Sequence, residues 1–83
     1  MGKRFINAIG TFGVVQGRAT IKAVQCVGDT LGPVEFFDAV DDDSGTPFLR
    51  ANFAWKGMTV PEFEVRHGLT LKNVNGTELL VTW

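Results

Sequence analysis

The sequence predicts an all-β protein, a small antiparallel β-sandwich with jelly-roll-like connections and about seven to eight short strands. Three observations carry that expectation. Ten glycines and three prolines break the 83 residues at short intervals. Between the breaks lie runs rich in Val, Ile, Thr, Phe and Trp that alternate between apolar and polar positions, the two-residue period of a half-buried strand. Helix signals are weak throughout.

Lys3–Ile9 reads as a first strand, and Gly10–Gly17, with three glycines, as a turn or irregular stretch around Phe12–Val15. Arg18–Val27 is a longer strand and Gly28–Gly32 a loop. Pro33–Val40 is a strand that opens on proline, where the missing N–H does little harm. Asp41–Thr46 is a polar turn. Pro47–Lys56 alternates most cleanly, with Leu49, Ala51, Phe53 and Trp55 on one face and Arg50, Asn52 and Lys56 on the other. Gly57–Val60 turns the chain, and Pro61–His67 alternates again with Phe63 and Val65 inward. His67-Gly68 is a tight turn before a strand over Leu69–Asn73. Asn75-Gly76 is a hairpin signal of the type I′ kind. Glu78–Trp83 is the last strand, with Leu79, Val81 and Trp83 on one face.

At 9.1 kDa the chain is a single domain, residues 1–83. Eight Lys+Arg against nine Asp+Glu and a pI near 5.7 are the opposite of a nucleic-acid footprint, and no polybasic membrane anchor is present. The apolar runs Ala51–Trp55 and Leu79–Val81 are too short to span a bilayer. Lys3 and Arg4 are followed by Asn7, Gly10, Thr11, Gly13 and Gln16, so no secretory signal forms, and Ile6 stands where a myristoylation site needs Ser or Thr. A single cysteine excludes an internal disulfide and a multi-cysteine zinc site. Folding is expected to leave roughly 4,900 Å² exposed of about 13,000 Å². The apolar share of the buried area contributes about 120 kcal/mol, close to the ordering cost of roughly 1.5 kcal/mol per residue. So thin a margin favours stabilisation through association.

The residues that suggest chemistry each have a plainer reading. Asp41-Asp42-Asp43-Ser44-Gly45 clusters carboxylates as a Ca²⁺ loop does, but Thr46 and Asn52 fall where an EF-hand needs Gly and Glu. A turn in which Asp and Ser bond the local backbone accounts for it. Cys26 and His67 form a catalytic pair only if the fold brings them together. Glu62 and Glu64 share a strand face, like a glycosidase pair and like any polar outer face. Trp55 and Trp83 are in phase with the aliphatic residues of their strands, which places them in the core or at a subunit interface. Asn75-Gly76-Thr77 is a glycosylation sequon only in a secreted eukaryotic protein. No catalytic, cofactor-binding or metal-ligating residues are assigned, and no cofactor is expected.

The pieces Gly32–Asp38, Asp43–Thr46, Phe48–Trp55, Val60–Phe63, His67–Leu69 and Leu79–Trp83 lie within Gly32–Trp83, a span of about 50 of the 83 residues. In that order they resemble a class of small bacteriophage virion proteins. The resemblance implies a β-sandwich or jelly-roll module that coats a capsid or joins tail and fibre parts. The class has no catalytic motif, so no site residue is carried over. The expected function is therefore a non-enzymatic virion structural protein, a capsid decoration or cement protein acting as a homo-oligomer. The alternatives are a tail or fibre accessory protein and a small carbohydrate-binding module with an aromatic platform. The expected partners are further copies of itself and other virion proteins such as the major capsid or tail protein, with no nucleic acid and no membrane. The expected place is the virion, after synthesis in the host bacterial cytoplasm. The expected interface residues are Phe12 in its glycine-rich stretch, Phe37 and Phe48 opposite the main apolar rows of their strands, and Trp83.

Overall fold

The computed structural model describes residues 2–83, which form a body of 30 × 26 × 17 Å. Its accessible surface of 4645 Å² is close to the value expected for this mass. The described residues form ten strands and no helix: β1 Lys3–Ile6, β2 Gly10–Gln16, β3 Ala19–Ile21, β4 Ala23–Cys26, β5 Gly32–Phe37, β6 Leu49–Phe53, β7 Thr59–Val60, β8 Phe63–Val65, β9 Gly68–Asn73 and β10 Leu79–Thr82. The protein is an all-β antiparallel sandwich. One four-stranded sheet has the order β1-β10-β4-β7, the other β2-β9-β5-β6, and β3 and β8 form a short two-stranded sheet.

One rule generates most of this wiring. Lys3 faces Thr82, Gly10 faces Asn73, Ala19 faces Val65, Val24 faces Val60 and Gly32 faces Phe53, and the two numbers of every pair between the arms add to 83, 84 or 85. The chain is a single long hairpin with its apex near residue 42. Its two arms stay in nearly constant register from the termini inward. Rolling that ribbon adds two further pairings, β4 with β10 and β5 with β9, which close it into two facing sheets. Every strand contributes to the core: Ile6, Val15, Ile21, Val24 and Cys26, Val34 and Phe36, Ala51 and Phe53, Val60, Val65, Leu69 and Leu71, Leu79 and Val81.

Several local expectations are corrected. Within Gly10–Gly17, expected as a turn or irregular stretch, Gly10–Gln16 is a strand, because its pairing with β9 outweighs the entropic cost of its glycines. A bulge lies between Gly13 and Val15. A Cβ at residue 13 would collide with the Asp41 carboxylate, so that glycine admits the apex loop. Arg18–Val27 is two strands. Ile21 and Val24 are both fully buried, and strict alternation would place residues three apart on opposite faces. The chain bends at Lys22, whose N–H donates to Thr82 O at 2.8 Å. Asn75-Gly76 does not close a hairpin, since β9 and β10 lie in different sheets. Gly76 has φ 74°, but Asn75 is not among the positive-φ residues, which rules out a type I′ turn. The Asn73 side chain closes this corner instead: its Nδ2 donates to Thr77 O at 2.9 Å, and its Oδ1 accepts from Thr77 N at 3.0 Å.

Thr77 is fully buried, and its hydroxyl has no partner. Replacing that hydroxyl with a methyl group removes a desolvation cost and keeps the shape. Thr77→Val is therefore expected to raise the unfolding free energy by about 1 kcal/mol, read as a higher urea midpoint at unchanged slope. A lower midpoint would show that the hydroxyl is satisfied.

Candidate interaction surface

The chain connections sort to two ends of the sandwich. One end holds 7–9, 27–31, 54–58 and 74–78, bound together by Thr30 N to Glu78 Oε1 at 3.3 Å and Val27 N to Glu78 O at 2.9 Å. The other end holds the long apex loop 38–48 and the turn between β8 and β9. A clip joins these two. Asp38 accepts hydrogen bonds from three consecutive backbone N–H groups, Arg66 at 3.0 and 2.9 Å, His67 at 2.7 Å and Gly68 at 3.3 Å. Partial burial raises the Asp38 carboxyl; the three N–H donors and the charge of His67 outweigh it, so the group lies below the usual carboxylate range.

The acidic run is part of the same loop and folds back over the outer face of the β2-β9-β5-β6 sheet. Thr70 Oγ1 donates to Ala39 O at 2.9 Å and accepts from Asp42 N at 3.4 Å. Thr11 Oγ1 donates to Asp43 Oδ2 at 2.7 Å. Asp42 accepts from Ser44 N at 2.9 Å, and hydrogen bonds from Ser44 lower its carboxyl. Asp41 takes the left-handed backbone conformation at φ 50°. The carboxylates of Asp42 and Asp43 thus serve loop closure, while that of Asp41 lies against Gly13. Among the described residues no group of three or more His, Cys, Asp and Glu side chains is placed to hold a metal, and no cavity is found.

The other candidate chemistries are dispersed. Cys26 is fully buried, its thiol against Gly28 O at 3.5 Å, at the end of the sandwich opposite His67. Glu62 and Glu64 are exposed, and Glu64 faces Thr20 in an ordinary strand pair.

Of the expected interface residues, Phe48 is open, at 46% exposed. Its ring packs on Phe63 at 5.7 Å and edge-on to Phe36 at 6.4 Å, and Phe36 and Phe63 complete the cluster at 5.9 Å. A fully buried Phe36 therefore anchors a half-exposed ring in place. Phe12 is half-buried against the core, with the Arg4 guanidinium 5.7 Å above it. Trp83 is half-buried, its indole lying over Gly2, and its backbone N–H donates to Gly2 O at 2.8 Å. Phe37 does face away from the core row, but it faces Thr70, which holds the apex loop over this side of the sheet, and it is only 4% exposed. The expectation of an open Phe37 is thus corrected.

For Trp55 the core half of the expectation is corrected, and a place at an interface stays open. Trp55 lies beyond the end of β6 in a tight turn, where Met58 N donates to Trp55 O at 3.2 Å and Gly57 takes φ 93°. The strand ends at Phe53, so the inward phase that Leu49, Ala51 and Phe53 share does not reach it, and the indole is 60% exposed. Two large exposed aromatics, Phe48 and Trp55, therefore flank β6. The chain matches no family model, no curated protein and no solved structure.

The Asp38 clip has a pH signature. Because its carboxyl is lowered in the folded state, the stabilisation is complete above the unfolded value near 3.8 and is lost as pH falls through the folded value. Asp38→Asn is expected to lower stability by about 1–2 kcal/mol at pH 6–8. The gap between the two proteins should narrow below about pH 4. Urea midpoints at pH 7 and pH 3 check this, and a gap of the same size at both would contradict it.

Proposed function

We propose that this chain is a non-enzymatic structural protein of a bacteriophage virion, a capsid decoration or cement protein that works as a homo-oligomer. The observation that carries the reading is Phe48, a ring held half-exposed by a buried aromatic neighbour at the rim of a rigid sandwich. A side chain fixed in that way loses little conformational freedom when a partner covers it, which is what an interface anchor requires. The nested strand pairing, two four-stranded sheets of orders β1-β10-β4-β7 and β2-β9-β5-β6, supports reading the sandwich as a jelly roll. The virion setting rests on the resemblance of Gly32–Trp83 to small phage structural proteins.

A second reading, a carbohydrate-binding module, gains from Trp55. An exposed indole on a glycine turn is the platform on which a sugar ring stacks. A tail or fibre accessory role would accommodate either surface.

Light scattering during size exclusion is expected to give a discrete oligomer. Phe48→Ser should shift it toward the 9.1 kDa monomer while the circular dichroism spectrum stays unchanged. Mass spectrometry of purified particles should find the chain at a copy number comparable to that of the major capsid protein. A monomer at every concentration, together with sugar-dependent tryptophan fluorescence, would replace this reading with the carbohydrate one.

A further inference from the structure

The geometry points to the free edge of β6 as a self-association site, where two copies of this chain pair β6 to β6, antiparallel about a two-fold axis through Ala51. This deepens the homo-oligomer reading and rests on it, by naming the surface and the register.

The two four-stranded sheets have four free edges, of which three are obstructed, and β3 and β8, the edges of the two-stranded sheet, are only three residues long. β7 is two residues long. β2 carries the bulge at Gly13–Val15, and Arg4 Nη1 donates to Gly13 O at 2.9 Å, so a side chain already occupies an edge carbonyl. β1 is four residues long and holds Lys3 and Arg4, the kind of charge that discourages strand addition. β6 is five residues long, has β5 on one side and no strand on the other, and contains no proline, glycine or bulge. An uninterrupted edge of that length is a template for another strand.

The sequence of β6 is compatible with itself. Antiparallel pairing centred on Ala51 sets Leu49 opposite Phe53 of the second copy and Arg50 opposite Asn52, so no like charges meet. Arg50 already faces Glu35, which faces Lys72. The outer row Lys72, Glu35, Arg50 would continue across the axis into Asn52 of the second copy, whose amide oxygen can accept from the guanidinium. The same register carries Phe48 of each copy to Ala54 and Trp55 of the other. Two of the six large hydrophobic side chains left exposed in the single chain would then cover each other twice. A contact of one short strand and two aromatic pairs is at the small end of stable interfaces, so the dimer is concentration-dependent.

Sedimentation equilibrium on charge variants of Asn52 tests the register. The position is exposed, so its variants fold as the parent does. Asn52→Arg places like charges opposite each other twice and should raise the dimer Kd about tenfold. Asn52→Glu completes the alternating row and should lower Kd, an effect lost at high salt. Gln25→Arg and Gln25→Glu, on the other sheet, serve as charge-matched controls and should change Kd less than about twofold. Trp55→Ser should weaken the dimer as Phe48→Ser does. An oligomer that ignores Asn52, Phe48 and Trp55 would overturn the β6 assignment and leave self-association standing. A chain that stays monomeric to millimolar concentration would overturn both.

Discussion

Constant register between two arms is the constraint from which the rest of this structure follows. In every pair between the arms the two residue numbers add to 83, 84 or 85, across five strand pairs and some forty residues on each side. In a strand, a slip of one residue turns every side chain to the other face. An insertion in one arm would thus misplace all inward side chains between it and the nearest bend. The structure tolerates its departures of one or two residues only at irregular places, the bulge at Gly13–Val15 and the bends where the ribbon passes from one sheet to the next.

The apex must then be fixed, since it sets the register for both arms. The loop does this without a tight turn. Asp38 holds the β8–β9 turn through three backbone N–H groups, Thr70 holds Ala39 and Asp42, and Gly13 leaves room for Asp41. The acidic run that resembles a cation loop is spent on this closure. The same loop covers Phe37, which leaves Phe48 as the open aromatic at this end of β6.

The sandwich was legible because alternation survives in the strands that face the core from one side. Leu49, Ala51 and Phe53, or Leu79 and Val81, announce their inward face directly. What escaped were features set by distant partners. The glycines of β2 look like a turn until β9 and Asp41 are present. The break at Lys22 had a signal, the three-residue spacing of Ile21 and Val24, but its cause is the pairing of β3 with β8 and of β4 with β10. Asn75-Gly76 marks a turn correctly, yet only the sheet order shows that it joins two sheets. Trp55 shows the limit of periodicity, which says nothing about where a strand stops. Of the candidate surface, the sequence singles out Phe48 as an aromatic outside the main apolar row of its strand, but its packing on Phe36 and Phe63, like the openness of β6, depends on distant partners.

Function, on this account, resides in what the rolled hairpin leaves unpaired. Residue-resolved amide hydrogen exchange at low and high protein concentration addresses that claim most directly. Amides of β9, β10, β4 and β5, which have neighbours on both sides, should be the slowest at both concentrations. Protection that grows with concentration should be confined to Leu49–Phe53, on the amides that point away from β5. Concentration-dependent protection on β1 instead, or none anywhere, would contradict the account.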